Sequence, residues 1–170
     1  MADAFVALLM GSDSDLPVLE GTLDVLAGYG VRVETRVLSA HRTPEQTREF
    51  VADAEQRGCK VFICAAGLAA HLAGTVAAHT LKPVIGIPVD AGPLKGHDAL
   101  LSTVQMPPGI PVACVAIGSA GAKNAGHLAA QMLALADPAL AQRLADTRSA
   151  AAQKVLDQDR SLQEKLRQRA

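Results

Sequence analysis

Tryptophan is absent from this 170-residue chain, and one tyrosine and three phenylalanines bring the aromatic share to only 2%. That scarcity removes the platforms on which unpaired bases stack. Lys and Arg number 16 against 17 Asp and Glu, a formal net charge of -1, so no face of one sign offers itself to nucleic acid. The three cysteines, Cys59, Cys64 and Cys114, are too few for a disulfide framework and lack the spacing of a zinc site. Cys64 and Cys114 stand in apolar runs, where a thiol behaves as a small hydrophobe. No segment approaches the ~20 apolar residues that span a bilayer. The opening Met1-Ala2-Asp3-Ala4 lacks the basic start of a signal peptide. A cytoplasmic protein is expected, with no membrane or nucleic-acid partner.

What is present is a chain with 49% hydrophobic residues, carried by Ala, Val, Leu and Ile. Its length suits one domain over residues 1–170, with a core at about 5–136 and a C-terminal helix and tail from about 138 to 170. Phe5 to Met10 reads as a strand buried on both faces. Further strands are predicted at Val31–Val37, Lys60–Ala65, Val84–Pro88 and Val112–Ile117. Helical patterns follow each: Val18 to Gly28 or Gly30, Glu45–Arg57, a short helix ending near His79, Gly96–Val104 and a long Ala/Leu helix to Ala136. Asp137-Pro138 then restarts the helix as N-cap and first residue, with helical pattern to roughly Asp157. Apolar positions are sparse in the tail from Asp159, which is expected to drape over a partner subunit or to fray. Five strands alternating with helices predict an α/β fold with a parallel sheet covered on both sides.

The stretch that organises the chain is Ser39-Ala40-His41-Arg42-Thr43-Pro44. It lies between the end of one strand and the start of a helix, with Thr43 and Gln46 spaced as a capping box and Pro44 at the first helical position. His41 and Arg42 are thereby placed on a carboxyl-end loop, where open α/β sheets bind ligands. Imidazole moves protons near pH 7, and a guanidinium grips phosphate with two donors. An ordinary surface turn with two solvated side chains accounts for the same spacing. In the first loop, Gly11-Ser12-Asp13-Ser14-Asp15, hydroxyls meet a helix N-terminus in a setting suited to an anion. Right-handed crossovers predict that loops one, two, three and five share a rim. Ser12, Ser14, Asp15, His41, Arg42, His71, Lys123 and Asn124 are expected to converge there. His71, in a loop of small residues, suits either a structural hydrogen bond or a substrate contact.

Other chemistries fit poorly. A metal-dependent phosphatase using Asp13 and Asp15 lacks the later acidic pair that would complete its oxygen ligands. A phosphoreceiver needs an aspartate after the third strand, where this chain has Ala65-Ala66-Gly67. No G-x-G-x-x-G or NTPase phosphate loop is present. His41, His71, His79, His97 and His127 have no metal-site spacing. What remains is a metal-free rim with hydroxyls, one carboxylate, one arginine and one histidine, a set that can hold a sugar phosphate and move a proton.

Five motifs carry a resemblance over about residues 5–150. They are Gly11-Ser12-x-Ser14-Asp15, Ser39 to Pro44, Ala69-Ala70-His71-Leu72, Val104-Gln105-Met106-Pro107-x-Gly109-Ile110-Pro111-Val112, and Ala116-Ile117-Gly118-x-Ala120-Gly121-Ala122-Lys123-Asn124-Ala125. Together they resemble the 5-(carboxyamino)imidazole ribonucleotide mutase family, the class I catalytic subunit of the bacterial purine-pathway carboxylation step. The resemblance implies a flavodoxin-like three-layer α/β/α sandwich, a homo-octamer, and transfer of a carboxylate from the exocyclic nitrogen to C4 of the imidazole without cofactor. It implies His41 as proton shuttle, Asp15 on the ribose, Arg42 and Ser39 on the phosphate, and Ser12, Ser14, Ala40, Gly67, Ala70, His71 and Leu72 as substrate contacts, with the third loop walling CO₂. A related carboxylase branch carries Ser-Ala-His-Lys and lacks Ala-Ala-His, so Arg42 and His71 favour the mutase. A non-catalytic nucleotide-binding paralogue is the other alternative. Against the family pattern, Leu68 replaces a glycine, Ala73 a proline and Leu16 a tryptophan, and Asp90-Ala91-Gly92-Pro93 replaces a small polar stretch.

Overall fold

A computed structural model describes residues 4–169. Five parallel strands, β1 (Phe5–Met10), β2 (Arg32–Val37), β3 (Cys59–Ala66), β4 (Val84–Pro88) and β5 (Ala113–Cys114), form one sheet in the order β2-β1-β3-β4-β5. β1 sits between β2 and β3, which explains why all six of its residues are apolar and buried. Its side chains still alternate. Val6, Leu8 and Met10 face the layer of α1 (Leu16–Gly28) and α5 (Gly118–Ala134), and Phe5, Ala7 and Leu9 face the layer of α2 (Pro44–Gln56) and α3 (Leu72–Ala77). β2 is one of the two edge strands, and its exposed side carries charge: Glu34 pairs with Arg57 at 2.6 Å, and Arg57 also reaches Asp53 at 2.6 Å. Charged edges of this kind resist pairing with a foreign strand.

The layer of α1 and α5 is built from small residues. Gly121, Ala122, Ala125, Gly126, Ala129 and Ala130 are buried along α5, and a Cβ at Gly126 would lie 3.0 Å from Val25 Cγ1 and 3.1 Å from the Thr22 carbonyl. The helices approach closely enough for the buried Thr22 hydroxyl to donate to the Ala122 carbonyl at 2.7 Å. Thr47 and Thr103, the other buried polar residues, donate to the carbonyls four residues back, Thr43 at the cap of α2 and Ala99 in α4 (His97–Val104). Cys59 and Cys64 are buried, and burial pushes the Cys59 thiol up to about 11 and raises Cys64 as well. Both act as small core hydrophobes.

Three elements differ from expectation. β5 spans two residues rather than Val112–Ile117. It follows Pro111, which has no N–H to donate, and beyond Cys114 the chain already turns so that the Ala116 carbonyl lies under Gly121 of α5. Thr43 caps α2 by position but makes no capping bond with its side chain. Its hydroxyl instead accepts from the Ser39 N–H at 2.8 Å and donates to the Ser39 carbonyl at 3.2 Å, which closes the loop that carries His41. The tail does not fray: α6 runs unbroken over Pro138–Arg167, with Asp137 accepting from the Ala139 and Leu140 N–H groups. Leu140 is buried and Leu144 packs on the core, and the same side of the helix continues outward through Ala151, Val155, Leu162 and Leu166. No helix among the described residues is long and apolar enough to cross a membrane.

Candidate active site

The strand order reverses between β1 and β3, and the carboxyl ends of strands at such a point diverge to leave a crevice. A cavity of about 380 Å³ lies there. After β1, the chain makes a 3-10 turn (Asp13–Asp15) in which the Ser12 hydroxyl accepts from the N–H and hydroxyl of Ser14, at 3.3 and 2.8 Å. This turn aims Ser12, Ser14 and Asp15 into the cavity. Burial pushes the Asp15 carboxyl above its ordinary value of 3.8, a backbone hydrogen bond from Ser12 offsets part of the rise, and neighbouring Asp13 adds to it.

After β2, the Ser39 hydroxyl accepts from the Arg42 N–H at 3.2 Å, so Ser39, Ala40, His41 and Arg42 form one tight turn along the cavity. The Arg42 guanidinium donates to the Gly11 carbonyl at 3.2 Å, which ties the second loop to the end of β1 and leaves its other donors facing outward. From the end of β3 onward, Ala66, Gly67, Leu68, Ala69, His71 and Leu72 also line the cavity. His41 Nε2 lies 2.7 Å from His71 Nδ1, with the rings edge to face at 74°. The lining thus combines hydroxyls, a carboxylate, a guanidinium and two imidazoles with small apolar residues.

Of the residues expected at this site, Ser12, Ser14, Asp15, Ser39, Ala40, His41, Arg42, Gly67, His71 and Leu72 line the cavity. Ala70 does not; it is buried behind the wall. Lys123 and Asn124 do not reach it either. The Lys123 side chain lies along Gly21 of α1, and Asn124 faces a separate cavity beside Tyr29 and His127. The reason is the strand order: β5 is at the sheet edge, two strands from the crevice, whereas β4 borders β3. The fourth loop therefore contributes Ala91 in place of the fifth. His79 and His97 stand outside the cavity, and His127 bonds the Tyr29 hydroxyl at 3.1 Å. Among the described residues no group of three His, Cys, Asp or Glu side chains is arranged to hold a metal ion.

Fold and crevice together define a flavodoxin-like α/β protein whose switch point combines hydroxyls, a carboxylate and a guanidinium with a pair of histidines. The chain belongs to the AIR carboxylase family, which it matches over residues 5–154. It is 50% identical over 158 residues to the N5-carboxyaminoimidazole ribonucleotide mutase of Mycobacterium tuberculosis, covering 93% of this chain and 90% of that one. The Bacillus subtilis mutase is 49% identical over 152 residues, 89% of this chain and 94% of the relative. A crystal structure of Treponema denticola PurE superposes with a TM-score of 0.85 at 30% identity, covering 94% of this chain and 98% of that one.

Proposed function

We propose that this protein is an N5-carboxyaminoimidazole ribonucleotide mutase of purine biosynthesis, acting in the cytoplasm. It interconverts N5-carboxyaminoimidazole ribonucleotide and 4-carboxy-5-aminoimidazole ribonucleotide. The observation that carries this reading is the His41–His71 contact at 2.7 Å, beside Arg42 in a cavity also lined by small apolar residues. In the reaction, the C–N bond of the carbamate breaks, its electrons stay on nitrogen, and nitrogen takes a proton from His41 as CO₂ leaves. C4 of the imidazole then attacks CO₂, and His41 recovers the proton that C4 gives up. Uptake and release cancel, so one imidazole serves both steps and ends as it began. Its contact with His71 supports this by fixing which ring nitrogen carries hydrogen.

Arg42 and Ser39 hold the phosphate, and Asp15 with Ser12 and Ser14 holds the ribose. Gly67, His71 and Leu72 line the side where CO₂ waits. Holding both fragments in one cavity spares a second encounter, an advantage that reaches ~7 kcal/mol for well-oriented partners. The active molecule is a homo-octamer. In support, α6 presents Val155, Leu162 and Leu166 at 62%, 52% and 49% exposure in line with residues that pack on its own core, as a helix that meets a second copy would.

The test is equilibration of the two carboxylated nucleotides by purified protein without added bicarbonate, ATP or metal. His41→Asn is expected to abolish interconversion while the nucleotide still binds. Binding without turnover in the parent protein would favour a non-catalytic paralogue, and turnover of the uncarboxylated nucleotide with CO₂ alone would favour a carboxylase.

A further inference from the structure

The non-glycine residue of the site with a left-handed backbone is also its one exposed large apolar residue. Leu68 has φ 55, in the left-handed region that leucine avoids, and only Lys95 among the other described non-glycine residues has a positive φ. Burial in the core does not compensate Leu68, which is 52% exposed. Its contact is with the next loop. A Cβ at Gly92 (φ 72) would lie 2.5 Å from Leu68 Cδ2, so Gly92 is bare where the leucine rests. One residue back, a Cβ at Gly67 would lie 2.8 Å from the Ala91 side chain. The loops after β3 and β4 therefore interlock at two successive points, 67 against 91 and 68 against 92.

Leu68 and Ala91 both line the cavity, on the side of the loops after β3 and β4. A neutral, linear molecule without a hydrogen-bond donor gains little from that side except exclusion of water and a closed exit. Leu68 spans these two loops, lining the cavity and resting on Gly92.

We propose that Leu68, seated on Gly92, closes the apolar end of the site and prevents loss of CO₂ between the two chemical steps; this rests on the mutase reading above. The experiment follows 4-carboxy-5-aminoimidazole ribonucleotide labelled in the carboxylate through turnover by the full-length protein in unlabelled bicarbonate, with an enzyme-free blank. The parent retains most label. Leu68→Gly, which relieves the backbone strain and so folds, is expected to lose label per turnover on the order of tenfold more. Gly92→Ala, which displaces the leucine, is expected to leak comparably by itself and to add nothing to Leu68→Gly. Equal label retention in the parent and Leu68→Gly overturns the proposal even if thermal stability changes, because a purely structural contact moves stability and not the label. A parent that interconverts nothing removes the mutase reading and this inference with it, a result distinguishable before any variant is made.

Discussion

His41 and His71 meet through facing ring nitrogens, so one of the two carries a hydrogen and the other a lone pair. Neither residue is near the other in sequence; the contact exists because β2 and β3 flank β1 and end on the same rim. Asp15 shows what such a rim costs. A carboxyl with a raised pKa favours the fold when protonated, so its contribution is full below 3.8 and is lost as pH rises through the raised value. Ionised Asp15 therefore destabilises the protein at neutral pH, as groups held for function often do. Asp15→Asn is expected to raise the melting temperature at pH 7, with the difference vanishing below pH 3.8, and to weaken nucleotide binding. A lower melting temperature at pH 7 would contradict this sign; scanning calorimetry across the two pH values decides it.

At the scale of elements, β1 and β4 were legible because unbroken apolar runs stop at residues that cannot extend them, Gly11 and Pro88. The α6 N-terminus was equally legible in Asp137-Pro138. The capping box at Thr43 was not: spacing alone cannot say whether a hydroxyl caps forward or ties back to Ser39. The run Ala120 to Ala125 misled in another way. Its pattern suggested a ligand loop, yet its small residues serve the contact of α5 with α1, and Lys123 lies over Gly21. Periodicity reports that a face is buried and not what covers it. Because Gly126 faces Val25 and the Thr22 carbonyl at 3.0–3.1 Å, Gly126→Ala is expected to destabilise by about 1–3 kcal/mol, the usual cost of overpacking. Urea denaturation with an unchanged slope would measure it.

For the whole molecule, four loops of one chain line the cavity, so the site residues were recoverable once strand order was known. Composition could not supply that order, and the fourth and fifth loops were exchanged for this reason. The proposed assembly rests on α6 and is tested there. Replacing Leu162 and Leu166 with glutamate, on a helix segment remote from the cavity, is expected to lower the mass seen by sedimentation below that of the proposed octamer. An undiminished mass would assign the assembly to other surfaces. The residues on this side of α6, Leu140, Leu144, Ala151, Val155, Leu162 and Leu166, recur every eleven positions. Eleven residues fill three turns at about 3.67 per turn, against 3.6 for a relaxed helix, so the row drifts slowly in the opposite sense to a heptad seam. Two such rods laid together would wind gently right-handed, and a leucine-zipper peptide of ordinary left-handed pitch would fall out of step with this helix within a few turns.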